Sequence, residues 1–185
     1  SVLVVGFGNS GGEIAVDLVE HGAKSALAVR GSVNIIPREI VGIPLLTISA
    51  SSSLLPPAVS DLLFAPVIRL MFGDLRKLGL QKQPYGPKVQ IKQDRRIPLI
   101  DVGTVKQIRA GNIAVYPGLK RFTETGVIFA DDRARGVDAV VMATGYRPAL
   151  HDFLPAAARV SDPSGVPLVS GHETSLPGLY FCGFF

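Results

Sequence analysis

Apolar positions gather into a few unbroken blocks that interrupt an otherwise polar, turn-rich chain. Val2 to Val5 contains no polar residue, and a run so short and uniform predicts a strand buried on both faces. Ser25 to Arg30 and Ala139 to Ala143 hold two further blocks of the same kind. Between the first two, Gly12 to His21 reads as a helix with Ile14, Val16, Leu18 and Val19 apolar, and Gly22 stops it. The opening residues therefore predict strand, turn, helix and strand. Three shorter β-type stretches, Ile113 to Tyr116, Lys120 to Thr123 and Val127 to Ala130, are each bounded by Gly or Pro. They predict an antiparallel insertion in an α/β fold built on a Rossmann-like parallel nucleotide-binding sheet.

One apolar segment obeys neither pattern. From Ile40 to Ser60 no residue is charged, and only Asp61 interrupts as far as Ile68. About 20 apolar residues cross a bilayer, so length alone would permit a span. Pro44, Pro56, Pro57 and Pro66 break it, however, and Ser49, Ser51, Ser52 and Ser53 make its middle polar. No integral membrane span is expected. Pro56-Pro57 instead predicts a helix start, with Val59, Leu62, Leu63, Val67, Leu70 and Met71 at helical spacing. Phe64, Ile68 and Phe72 make its other face apolar too, so this helix is expected to be buried, to lie on a membrane surface, or to be covered by another part of the protein. Residues 36–80 thus read as an apolar helical insertion and Lys77 to Arg96 as a polar linker. His151 to Gly178 reads as loop, and Leu179 to Phe185 as a closing apolar strand.

Composition narrows the function classes. The net charge of +4 is scattered, and its densest cluster, Lys88, Lys92, Arg95 and Arg96, has no aromatic platform beside it. No nucleic-acid partner is expected. The single cysteine, Cys182, excludes an internal disulfide, fits a reducing compartment such as the cytoplasm, and is expected to be buried in its apolar strand. His21, His151 and His172 are not spaced as metal ligands, so no metal site is expected. Ser10 lacks the setting of a hydrolase nucleophile.

The candidate chemistry lies in the first turn. Gly6, Gly8 and Gly11 form G-x-G-x-x-G between a buried strand and a helix, the context in which that spacing cradles a dinucleotide. Gly6 permits the turn, Gly8 admits a pyrophosphate to the backbone, and Gly11 lets the helix pack closely. The pyrophosphate would then meet free N–H groups at the helix start. An NAD site would place a carboxylate at the end of the second strand to hold the ribose 2′-OH. Arg30 stands there instead, and a guanidinium suits a 2′-phosphate, so the residues favour NADP.

GFGNSG, the ATGY at Ala143 to Tyr146, and GLYFCGF at Gly178 to Phe184 together resemble the class B flavin monooxygenases. The longer stretches VRGSVNIIPREIVG, LPPAVSDLLFAPVIRLMFGDLRKLGL and IPLIDVGTVKQIRAGNIAVYPGLKRF are similar to the plant YUCCA-type members. The resemblance implies an enzyme that uses NADPH, FAD and O2 to convert a 2-oxo acid, indole-3-pyruvate, to the auxin indole-3-acetic acid. It places the FAD-binding segment upstream of Ser1, so the chain reads as part of a longer protein. Residues 1–145 are then the NADP-binding domain, and 146–185 a partial return into the FAD-binding domain. By that resemblance Gly6, Gly8, Asn9, Ser10 and Gly11 form the NADPH turn, and Arg30 takes the 2′-phosphate. Ala143, Thr144 and Gly145 form the crossing between nucleotide domains, and Gly183 is a close approach to FAD. Catalytic residues and the role of Arg38 stay open, as do two alternatives, an N- or S-oxidising relative and a non-catalytic truncated NADP-binding module.

Overall fold

The chain begins with β1 (Val2–Val5), α1 (Asn9–Glu20) and β2 (Ser25–Val29). It then leaves the sheet through β3 (Ile35–Pro37), the hairpin β4 (Glu39–Ile40) and β5 (Ile43–Pro44), α2 (Leu45–Ser51), α3 (Pro57–Phe72), α4 (Pro87–Asp94), β6 (Leu99–Asp101) and α5 (Thr104–Arg109). It returns in β7 (Ile113–Pro117), makes β8 (Leu119–Thr123), β9 (Gly126–Phe129) and β10 (Ala134–Gly136), and comes back once more in β11 (Ala139–Met142). This computed structural model describes residues 1–51 and 54–184; Ser52, Ser53 and Phe185, on which two of the expectations above partly rest, lie outside them. Two compact units are present, Ser1–Thr144 and Gly145–Phe185.

Four strands form one parallel sheet in the order β11-β1-β2-β7. Leu3 pairs with Val140 on one side and Ala26 on the other, and Ala26 pairs with Ala114. The stretch Ile113–Tyr116 therefore belongs to the parallel sheet, not to the antiparallel insertion that its short length suggested. Its unalternated sequence, IAVY, suits a strand covered on both faces. The antiparallel sheet consists of β8, β9 and β10. Because β2 and β11 flank β1 on opposite sides, the strand order switches at the carboxyl end of β1. Open α/β sheets hold their ligands in that crevice.

Alternation along each strand distributes its side chains between two layers. Val4, Leu27 and Ile113 point to a core shared with Ala15 and Val16 of α1, Val105 and Ile108 of α5, and Phe72, Leu75 and Leu80 of the insertion. Leu3, Ala26 and Ala28 point the other way, against Val127 and Phe129 of the antiparallel sheet. At about 25 cal/mol per Å² of apolar area, this two-sided burial is the main favourable term in holding the sheet. His21 closes α1, its Nδ1 2.9 Å from the Asp17 carbonyl oxygen. That bond first, and the Asp17 carboxylate second, raise the imidazole pKa. The contribution is present below the ordinary imidazole pKa and is lost as pH rises through the raised value; full exposure keeps it small.

The insertion holds the main departures from expectation. Lys77 to Arg96 contains the end of a 3₁₀ turn, Leu75–Leu78, and the whole of the helix α4. α4 buries no residue, so no apolar period marks it in the sequence. Its start is held from outside. Asp61 of α3 accepts the N–H of Lys88 at 2.9 Å and of Val89 at 2.9 Å, placing a carboxylate on the positive end of α4. The one carboxylate of the apolar segment is thus a cap for another helix. At the far end of α3, Arg109 donates Nη2–H to the Phe72 carbonyl at 2.6 Å. Toward solvent α3 shows Val59, Leu62, Leu63 and Leu70, while Ser60 and Phe72 face inward. Among the described residues no helix is long and apolar enough to cross a membrane.

The second unit has its own small core of Leu150, Ala157, Val160 and Phe181, with short 3₁₀ turns at Leu150–Asp152 and Ala157–Arg159. Among its described residues the final segment forms no strand. Tyr180 makes an isolated bridge with Glu173, and Cys182, expected to be buried, is exposed. Phe181 is buried in the core, with Leu179 and Phe184 packed against it, and Gly178 and Gly183, at φ of 79° and 85°, turn the chain on either side.

Replacing Asp61 with Ala removes two charge-assisted hydrogen bonds. It should cost roughly 1.5–3 kcal/mol. Urea unfolding monitored by circular dichroism should show a lower midpoint at unchanged slope. An unaltered midpoint would mean that α4 needs no external cap.

Candidate functional site

The three motif glycines do three different jobs. Gly6 has φ 122°, and a Cβ on it would stand 2.2 Å from the Ala143 carbonyl oxygen. The conformation and the contact each exclude a side chain. Gly11 is buried, and a Cβ there would lie 2.5 Å from the Gly6 carbonyl oxygen, so the helix start rests directly on the turn. Gly8 is different. Its φ and ψ, −94° and −175°, are ordinary extended backbone, and a Cβ built there has no protein atom within 4 Å. The fold itself therefore does not demand glycine at position 8. It is open space at a helix N-terminus.

That terminus has no side-chain cap and no acidic residue in its first turn. Asn9, Ser10 and Gly11 begin α1, where backbone N–H groups lack intrahelical partners and the helix dipole is positive. Ser10 is exposed there. The Asn9 side chain points elsewhere: its Oδ1 accepts the N–H of Ile100 at 2.8 Å. This bond ties the turn to β6 across the sequence. Gly12 makes the second tie, since a Cβ on it would meet Leu99 Cδ1 at 2.7 Å and Thr104 Oγ1 at 3.0 Å. Close helix packing, expected at Gly11, is shared with Gly12, whose only sequence signal is the doubled glycine.

Arg30 follows the last residue of β2 and is exposed. Among the described residues no ion pair or side-chain hydrogen bond engages it. Its stem lies over Gly118, where a Cβ would come within 3.1 Å of Arg30 Cα, Cβ and Cγ. Nothing in the sequence around position 118 marks that role. Ala143 continues β11 into the turn, its N–H donating to the Val5 carbonyl at 2.9 Å, and Thr144 ends the first unit. Gly145 and Gly183 belong to the second unit, with φ of 91° and 85°. Gly6, Gly8, Asn9, Ser10, Gly11, Ala143 and Thr144 thus gather at one edge of the first unit, with Arg30 at the end of the neighbouring strand. Among the described residues no cluster of His, Cys, Asp and Glu could hold a metal.

A recess of about 500 Å³ opens at the carboxyl ends of the small parallel pair β3–β6. Pro37, Arg38, Glu39, Pro44, Met71, Phe72 and Asp101 line it. Asp101 follows Ile100, the residue that Asn9 holds, so the recess is registered to the glycine turn.

A four-strand parallel sheet with a glycine turn at its switch point defines a dinucleotide-binding domain of Rossmann type. The sequence carries the assignment further, matching the flavin-binding monooxygenase-like family over residues 1–161, and the chain belongs to that family. It is 36% identical over 186 residues to the rice indole-3-pyruvate monooxygenase YUCCA4, covering 99% of this chain and 42% of that protein. It is 35% identical over 191 residues to the probable indole-3-pyruvate monooxygenase YUCCA1 of Arabidopsis thaliana, covering 99% and 45%. The chain therefore spans less than half the length of these relatives. Among solved structures, cyclohexanone monooxygenase from Rhodococcus sp. Phi1 bound to NADP+ shares the fold with TM-score 0.54 at 16% identity, covering 78% of this chain and 38% of that one. A flavin monooxygenase mutant from Stenotrophomonas maltophilia gives 0.51 at 22%, covering 92% and 36%.

The glycines can be separated by experiment. Gly6→Ala forces a backbone collision at positive φ and should cost about 4 kcal/mol or more. Gly8→Ala meets no protein atom and should cost about 1 kcal/mol at most, the price of a poorer helix cap. Thermal unfolding of both variants checks this; equal destabilisation would show that Gly8 serves the fold alone.

Proposed function

We propose that this chain is the NADPH-binding part of a flavin monooxygenase that oxidatively decarboxylates an aromatic 2-oxo acid, indole-3-pyruvate, to indole-3-acetic acid. The observation that carries the proposal is Gly8. Its glycine is unexplained by the fold and it stands at an uncapped helix start, while Arg30, at the end of the neighbouring strand, engages no ion pair or side-chain hydrogen bond among the described residues. These features fit a dinucleotide phosphate: the first-turn amides of α1 would receive the pyrophosphate and Arg30 the 2′-phosphate.

The division of labour in the reaction follows from what the residues offer. NADPH and FAD, when bound, supply the redox chemistry. One oxygen atom enters the product carboxylate, the other leaves as water, the substrate carboxyl departs as CO2, and two electrons come from NADPH. The chain's own residues bind and orient. Gly6 and Gly11 fix the turn, the α1 amides hold the phosphates in place, and Arg30 selects the phosphorylated cofactor. Gly145 and Gly183 are the flavin-side residues in this reading, with Ala143 and Thr144 at the crossing. The names of the relatives above support the substrate, and the two-cofactor requirement places the complete reaction in a longer protein.

Arg30→Ala tests the cofactor assignment on this chain directly. Loss of charge-assisted hydrogen bonds of roughly 1.5–3 kcal/mol corresponds to about 10- to 100-fold weaker NADPH binding. NADH, which lacks the phosphate, should bind the variant and the parent alike. Fluorescence titration of both nucleotides measures this. Equal weakening of NADPH and NADH would make Arg30 structural and remove the basis for NADP preference.

A further inference from the structure

The recess beside the glycine turn is unused by the cofactor assignment, and its lining has a specific chemistry. Arg38 brings a guanidinium that engages no ion pair or side-chain hydrogen bond among the described residues. Its backbone is fixed, because its carbonyl accepts the N–H of Leu45 at 3.0 Å. Pro37, Pro44, Met71 and Phe72 supply an apolar wall, with Phe72 buried and Met71 partly open. Glu39 and Asp101 add two carboxylates. Asp101 is partly committed, its Oδ1 accepting the N–H of Val105 at 3.0 Å.

One cation with two carboxylates is a poor setting for a phosphate, whose double charge calls for several donors. It suits a ligand with a single negative charge, a flat apolar body and an N–H donor of its own. The volume lies within the range of small-molecule sites, about 300–1,000 Å³. One wall is the β4–β5 hairpin, whose turn holds Val41 at φ 50°. A β-branched residue in the left-handed region is strained, and such strain concentrates at functional sites.

We propose that this recess binds the aromatic 2-oxo acid substrate. Arg38 pairs with the ligand carboxylate, Met71 and Phe72 pack on the ring, and Glu39 or Asp101 accepts the ring N–H. This rests on the monooxygenase reading, and it makes Arg38 a specificity-determining residue of the recess, separate from the phosphate contacts at α1 and Arg30.

The test is calorimetric titration of this chain with indole-3-lactate, whose hydroxyl replaces the reactive ketone, and with indole-3-ethanol, which lacks the carboxylate. Arg38→Gln should weaken indole-3-lactate about 10-fold or more and leave indole-3-ethanol unchanged. Arg38→Lys should recover part of the loss, and NADPH should bind all three proteins alike. NADPH binding with no affinity for indole-3-lactate would overturn the recess proposal alone, as would an Arg38→Gln variant that binds it like the parent. Weakening of NADPH by Arg38→Gln would assign Arg38 to the cofactor instead. Failure of NADPH to bind the parent chain would strike at the monooxygenase reading itself.

Discussion

The first unit depends on one backbone contact. Where β1 ends, Gly6 passes so close to the Ala143 carbonyl that not even a methyl group fits between them. That approach lets β11 run alongside β1 to its end and lets the chain turn sharply into α1. Gly11 then rests on the Gly6 carbonyl, which sets the point from which the helix starts. A wider turn would move the α1 amides away from the switch point of the sheet, where a dinucleotide phosphate has room to meet them. The geometry of the turn is thus a by-product of how tightly three backbone segments can be stacked.

The same turn positions the insertion. Asn9 holds Ile100, and Gly12 lets Leu99 and Thr104 press against α1, so β6 is docked on that helix at two points about one turn apart. Because β6 pairs with β3, the chain just after β3 is carried into register as well. Arg38 therefore stands at a defined place relative to the glycine turn although it lies far from it in sequence. Asp61 and Arg109 secure the remaining helices by their ends, one carboxylate at the start of α4 and one guanidinium at the end of α3. Side chains on helix termini suit an insertion whose outer surface is apolar and whose linking helix buries nothing.

Legibility in the sequence followed the physics of each element. The strands β1 and β2 and the helix α1 are plain because each is covered on a continuous apolar surface, and local pattern records burial directly; β11 shows the same apolar run, yet it ends the sheet with Ala139 and Met142 exposed rather than buried. The glycine turn was plain because its spacing is local. β7 was misplaced: a short apolar run says that it is buried but not which sheet receives it. α4 was missed because a polar helix held by a distant carboxylate has no period of its own. Asn9, Gly12 and Gly118 were recognisable as turn or glycine positions, yet their partners, Ile100, Leu99 and Arg30, are set by tertiary packing that local pattern does not encode. The closing segment and Cys182 depart from expectation because an apolar stretch does not by itself specify a strand: Phe181 enters the small core with Leu179 and Phe184 packed against it, and Cys182 between them is exposed.

The central claim is that the first turn of α1 is an anion site for a dinucleotide. The direct measurement is an amide nitrogen–proton correlation spectrum of the isotope-labelled chain, recorded as NADPH is added. The account predicts that the N–H signals of Asn9, Ser10 and Gly11 move most among the backbone amides, together with the side-chain Nε–H of Arg30. Signals that move elsewhere while those three amides stay fixed would contradict it.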